Sequence, residues 1–438
     1  MKSMFRALSI RNYRLYASGA MVSNVGTWMQ RVAQDWLVLV LTGSPAALGI
    51  TTGLQFLPIL LLSPYAGVIA DRFPKRRVLM VTQSALGLTA GLLGLLAVTG
   101  LAEVWHVYVL AFLFGAGTAF DNPTRQSFVS EMVDREYVSN AVGLNSASFN
   151  LGRVAGPAAA GGLIALFGSG VTATGWVILL NAISYGAVVF SLTRLRVAEL
   201  HTPERAPRSR GMLRDGFRYV RSRPDVMLIL AVAFSAGTFG LNFQMTMAVM
   251  ATTVYDKGAG EYGILGSVMA VGSLAGALFA ARRVSQPRQR LVIMAAVVFA
   301  VVEIVAGLMP TYLTFMAVLP LCGLSALTML TAANSYVQMS VSPEMRGRVM
   351  ALYIAILMGG TPLGAPLLGW VAEQYGGRWT LIGGGALTLV GILLATLIFA
   401  RSNELVIRPY ILRRPGVAVM NRDEYAARRT RDPACTAA

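Results

Sequence analysis

Charge is scarce in this sequence. Asp, Glu, Lys and Arg make up 13% of its 438 residues, about half of what a water-facing surface needs, and the shortfall falls in long stretches. Histidine and cysteine are scarcer, two of each. Cys322 lies inside an apolar run and Cys435 in the tail, which argues against a disulfide framework. So few histidines leave no metal-ligand cluster and no His-paired nucleophile, so a metal site, a bound cofactor and a membrane enzyme are all disfavoured. The phosphate-binding pattern Gly-x-x-x-x-Gly-Lys-[Ser/Thr] is missing too, which argues against a nucleotide-driven pump.

What is present is apolar length. Hydrophobic residues make up 55% of the chain and mean hydropathy is +0.61. Runs of about 20 residues, enough to cross a bilayer core, recur throughout. The first begins near Tyr16 after Lys2, Arg6, Arg11 and Arg14. It is too long for a signal-peptide core and reads as a retained helix. Spans are expected near 15–41, 47–70, 78–99, 105–127, 139–167 and 173–195, then 226–254, 262–281, 290–309, 312–339, 349–375 and 379–400. The expected fold is an all-α membrane protein of twelve transmembrane helices in two pseudo-symmetric six-helix halves. Residues 1–198 form the first half, 199–225 a cytoplasmic linker, 226–400 the second half and 401–438 a basic tail.

The net charge of +17 would suggest a nucleic-acid partner in a soluble protein. Here the positive-inside rule accounts for it, and no nucleic acid is expected. Of the 37 Lys and Arg residues, Lys257 and Arg378 fall on one side of the spans and Arg31 and Arg153 lie within them. The others collect with the N-terminus, which places both termini in the cytoplasm and the chain in the cell's inner membrane. In the linker, Met212, Leu213, Phe217 and Val220 alternate with arginines. That pattern suits either the membrane surface or a short helix packed under the bundle. The tail is expected to lack regular structure.

The halves echo each other at an offset of about 208 residues. Gly115 aligns with Gly323, Glu136 with Glu344, Gly152 with Gly360, Gly156 with Gly364 and Gly161 with Gly369. Gly26-Thr27-Trp28 echoes Gly237-Thr238-Phe239. Repeated halves that rock about a central site are the logic of alternating access.

The loop after the second span contains Gly67, Asp71, Arg72, Lys75 and Arg76. It resembles the signature loop of the major facilitator superfamily. That resemblance implies a gate in which Asp71 meets the segment from Pro343 to Arg348. The fifth span carries Gly152, Gly156, Pro157 and Gly161, similar to the glycine-proline motif of the superfamily's antiporters, with a final spacing one residue longer. Gly115-Ala116-Gly117 is present, but Ala111 stands where many drug/proton antiporters of the superfamily carry arginine. Arg11-Asn12-Tyr13-Arg14, Thr42-Gly43-Ser44-Pro45 and Asp121-Asn122-Pro123-Thr124-Arg125 resemble the branch of enterobactin-type exporters and macrolide efflux proteins.

Charge within a span faces the bundle interior or marks a pathway. Asn24, Trp28, Arg31 and Asp35 share one face of the first helix. Arg31 and Asp35 can neutralise each other, which leaves open a structural pair or a proton-accepting carboxylate. Asn150 and Arg153 repeat that spacing on the fifth helix. Asn242, Asn334 and Gln338 supply an uncharged polar face in the second half. Asp121 reads as a gate or as the cap of a break at Pro123. Glu303 reads as structural or lipid-boundary, since the resemblance puts its helix towards the outside of the bundle. His106, at the start of the fourth helix, reads as structural. The resemblance implies a monomeric, proton-coupled exporter of a small amphipathic drug or siderophore, an antiporter in contact with substrate, protons and the lipid bilayer. An importer or uniporter, and a non-transporting receptor, are the alternatives.

Overall fold

Helices follow the apolar runs closely. The computed structural model describes residues 5–201, 212–282, 287–402, 405–410 and 416–421. The side chains of Pro64, Asp71, 212–214 and everything after Arg401 lie outside that description. In the first half come α1 (Arg11–Thr42), α2 (Pro45–Arg72), α3 (Lys75–Val98), α4 (Val104–Phe128), α5 (Val138–Leu166) and α6 (Val171–Thr193). A short α7 (Met212–Arg221) lies in the linker. The seventh long helix is interrupted: α8 (Pro224–Ser235), a π turn (Ala236–Gly240), α9 (Phe243–Val249) and a second π turn (Met250–Val254). Then follow α10 (Ala259–Ala281), α11 (Gln289–Leu308), α12 (Tyr312–Ser340), α13 (Pro343–Gly359), α14 (Thr361–Tyr375) and α15 (Arg378–Ser402).

Ten helical segments among the described residues are long and apolar enough to cross a membrane. The long helices outside that ten are α1 and α5, the two that carry Arg31, Asp35 and Arg153. Their neighbours explain how such polar helices are accommodated. Helix α1 packs against α5 and α6, and α5 against α1 and α10, so their polar faces turn towards protein.

Local chemistry sets the helix ends. Ser44 caps α2 by accepting from Ala47 N at 3.2 Å, with Pro45 at the first helical position. Gly43 closes α1 in the left-handed region, φ +63°, where a side chain would be strained. His106 Nδ1 accepts from Glu103 N at 3.1 Å, which gives this histidine its structural place. Arg378 donates to the carbonyls of Gly307 and Met309 at the end of α11.

The sequence offset reappears as repeated contacts. At Gly156 a Cβ would stand 3.0 Å from the Val25 carbonyl of α1, and its counterpart Gly364 packs still closer on the Thr238 carbonyl. Gly115 seats the backbone of Gln55, and Gly323 that of Met269. Helices in lipid gain most from such close backbone approach, so the glycines are a packing code repeated twice.

The halves meet at the end where α1 finishes and α2 starts, here called the far side. Gly161 lies against Ala259 and Gly263, while Gly369 lies against Pro45, Ala46 and Gly49. Glu373 of α14 accepts from Ser44 Oγ at 2.8 Å and from Ala46 N at 3.3 Å.

Of the two forms expected for the linker helix, the structure shows the one packed under the bundle: Asp215 pairs with Arg348 of α13 at 3.0 Å and Val220 is buried. One detail departs from expectation. The tail is partly ordered, with β1 (Leu405–Tyr410) and β2 (Gly416–Asn421) forming an antiparallel hairpin. Both strands are rich in valine, isoleucine and leucine, which favours strand pairing over a solvated coil.

Candidate transport site

A cavity of about 300 Å³ lies between the halves. Five of the residues expected from sequence line it: Arg31, Asp35, Arg153, Pro157 and Asn242. Its walls are otherwise mostly apolar, with Phe56, Phe243 and the methionines 245, 247 and 269, which suits a partly hydrophobic molecule.

Asp35 is the one carboxylate on this wall, and it is 4% exposed. The expected pairing with Arg31 is not what the structure shows. Asp35 Oδ2 instead accepts from Gln244 Nε2 at 2.7 Å and from Tyr262 Oη at 2.8 Å. Both donors belong to the second half, so Asp35 ties α1 to α9 and α10. Arg31 turns to Trp28, its guanidinium 4.8 Å from the ring centroid, and its Nε has no hydrogen-bond partner. Arg153 approaches the same indole at 5.9 Å from α5. One helical turn separates Arg31 from Asp35, but the donors across the cavity offer the carboxylate better geometry than its neighbour does.

The remaining candidates lie elsewhere. Asn24 donates to Ser148 Oγ and accepts from Arg125 within the first half. Asn150 donates to the Ser146 carbonyl. Asn334 accepts from Gln338 at 3.1 Å on an exposed stretch of α12. Lys75 forms a buried ion pair with Glu131, and Arg76 Nε donates to the Leu192 carbonyl at 2.7 Å. Both hold the start of α3 to the ends of α4 and α6. Arg72 is exposed and Gly67 half-buried. The Asp71 side chain lies outside the described residues. Helix α2 nevertheless runs along α14 and α13, with Gly49 against Ala365, Gly53 against Pro366 and Leu60 against Gly359. Gly152 admits the backbone of Asn24, so every glycine of the antiporter-like motif is a contact point.

The transmembrane secretion effector family model matches residues 2–409. The chain belongs to this family, within the major facilitator superfamily. Among its relatives, the multidrug efflux pump Tap of Mycolicibacterium fortuitum is 28% identical over 391 residues, covering 86% of the chain and 92% of that protein. The staphyloferrin A transporter of Staphylococcus aureus is 25% identical over 83% of the chain and 90% of its own length. Macrolide efflux protein A of Streptococcus pyogenes is 22% identical over 87% and 95%. The fold is similar to an inward-facing, occupied bacterial homolog of the human lysosomal transporter Spinster. The TM-score is 0.67 at 17% identity, covering 89% of this chain and 96% of that one. The protein is therefore a multi-pass membrane transporter of small molecules and not an enzyme.

Sequence reasoning missed Gln244 and Tyr262. The repeat does not point to the first: near the first helix of each half the offset is 211, which carries Asp35 to Thr246 and not to Gln244.

Two further acidic residues sit within the halves, away from the cavity. Asp121 does not cap a break, because α4 continues through Pro123 to Phe128. Its oxygens accept from Thr82, Gln83 and Arg125, and Arg125 reaches on to Asn24. This network stitches α1, α3 and α4 into one body. Asp121→Ala leaves the Arg125 charge buried without its carboxylate and should destabilise the fold by about 3–5 kcal/mol. Thermal labelling of the buried Cys322 thiol in a Cys435→Ala background measures that loss. Glu303 is fully buried between Phe299, Gly240 and Gly384, which corrects the lipid-boundary reading of this residue.

Proposed function

We propose that this protein is a proton-driven exporter of a small amphipathic compound, drug-like or siderophore-like, working as a monomer by alternating access. Twelve spans cross the cell's inner membrane, with α1 and α5 as the polar pair and both termini cytoplasmic. The lysine and arginine asymmetry supports that orientation. Residues 1–198 and 226–400 move as two rigid bodies, and the glycine contacts at Gly161 and Gly369 hold this conformation closed on the far, external side. Relatives that are efflux pumps favour export over import.

The observation that carries the reading is the position of Asp35. It is the cavity's one carboxylate, and its two hydrogen bonds run from one half to the other. Closing the external side over Asp35 costs less when the carboxyl is neutral than when it is charged, so closure carries a proton inward. Gln244 and Tyr262 then stabilise the carboxylate and release the proton to the cytoplasm. Cargo takes the outward step.

The test uses everted membrane vesicles with an acidic interior and a pH-sensitive dye. Siderophores, macrolides and cationic dyes are added in turn. Alkalinisation that depends on one of these compounds is the expected result. Cargo flux that persists unchanged after the gradient is collapsed would count against proton coupling and favour uniport.

A further inference from the structure

Three charged side chains line the cavity, and they do not balance. Asp35 is committed to Gln244 and Tyr262. Arg31 and Arg153 enter from different helices and flank one indole, Trp28, at 4.8 and 5.9 Å from its centroid. Neither guanidinium forms an ion pair with a carboxylate among the described residues, and Arg31 Nε has no hydrogen-bond partner. Asp35 acts on Arg31 from one helical turn away, but the electrostatic neighbour of Arg153 is Arg31 itself, a like charge. Two cations set against each other inside an apolar-walled space are unfavourable unless something anionic joins them. A purely structural arginine would be expected to reach a carboxylate or a row of backbone carbonyls, as Arg378 does at the end of α11.

We infer that Arg31, Arg153 and Trp28 form a subsite for an acidic group on the cargo, so that the preferred substrate is an amphipathic acid and not a lipophilic cation. This rests on the export reading above and names the substrate class for it. A carboxylate or comparable oxyanion takes forked hydrogen bonds from the two guanidiniums. Trp28 offers its face and the methionines 245, 247 and 269 a pliable apolar bed for the rest of the molecule. Asp35 sits one helical turn from Arg31 and disfavours an anion bound too deeply, which leaves room for a proton to act on the bound state. Exchange of an acid outward for a proton inward moves two charges in the same electrical sense.

The experiment measures binding on the full-length protein in lipid nanodiscs, so that it does not depend on transport. Three dansyl probes share one skeleton and carry a carboxylate, its methyl ester or a primary amine. The carboxylate should bind at least about tenfold tighter than the ester, as charge-assisted pairing to arginine predicts. Arg153→Gln and Arg31→Gln should each bring that ratio close to one, and Arg153→Lys should restore part of it. Because the readout is a ratio, a variant that merely unfolds loses both probes and is recognised by gel filtration; Arg153→Lys then carries the test. A carboxylate that binds no better than the ester, the absence of binding by either included, overturns the inference. So does an amine that binds tightest, or a ratio that survives both glutamine substitutions. If vesicles show no gradient-driven export while the ratio stands, the export reading fails and the acid subsite remains.

Discussion

Asp35→Asn abolishes cargo-dependent proton movement in energised everted vesicles, bringing it to the level of vesicles without the protein. The substitution is nearly isosteric and keeps an oxygen that accepts from Gln244 and Tyr262, so the contact between halves survives. What it removes is the ability to gain and lose a proton. Cargo binding to the purified protein should therefore change little, while uphill export disappears. Asp35→Ala separates the two roles. It also leaves the Gln244 amide without its acceptor, at about 1–3 kcal/mol, while the Tyr262 hydroxyl keeps the Gln244 carbonyl at 3.2 Å. The external side should loosen as well, which a cysteine cross-link between α1 and α9 would report as a slower reaction. Export that continues at the wild-type rate in Asp35→Asn would remove this carboxylate from the coupling and shift the search to carriers outside the cavity.

Much of this architecture is legible in the sequence because hydrophobic length and glycine spacing act locally. The observed α5, Val138–Leu166, lies within one residue of the span expected at 139–167. The 208-residue echo of Gly156 and Gly364 becomes the same contact made twice. Arg31, Asp35, Arg153 and Asn242 stand out because charge or amide inside a span has to face something other than lipid. Their partners were not legible. Whether Asp35 binds Arg31 or reaches Gln244 depends on how the two halves dock, a relation between segments some 200 residues apart. Asn334 and Gln338 share the face of α12 that carries the cavity residues Leu327 and Leu330, but they lie one and two turns beyond them, where both are exposed. The π turns around Thr238 and Met250 carry no proline to announce them. The first packs against α14 and runs into the break at Leu241 and Asn242. The cap reading of Asp121 fails for a similar reason: a proline in a membrane helix does not end it when neighbours support the freed backbone.

Gly161→Val and Gly369→Val should each trap the transporter open to the outside and reduce export to a small fraction of wild type without unfolding it. Both glycines sit where one half touches the other. A side chain at Gly161 meets the Ala259 carbonyl and the Gly263 backbone, and one at Gly369 stands 2.6 Å from the Pro45 carbonyl. Backbone cannot rotate away as a flexible side chain does, so only a separation of the halves relieves the clash. That separation breaks the far-side contacts and leaves the packing inside each half intact, since the Asp121–Arg125 network lies apart from both glycines. A single cysteine placed at Ala46 should react faster with a membrane-impermeant thiol reagent added outside, in a background where Cys322 and Cys435 are replaced. The comparison with Gly156→Val separates interface from core. That substitution meets Trp28 and the Val25 carbonyl within one half, so it should lower thermal stability where Gly161→Val does not. Rocking about a fixed site requires contacts that can be made and released as a unit, and backbone faces lined by glycine provide them with little side-chain entropy to lose. If Gly161→Val and Gly369→Val instead export at the wild-type rate, the far side has to open by bending of α5 and α14, and the rigid-body description of the cycle gives way.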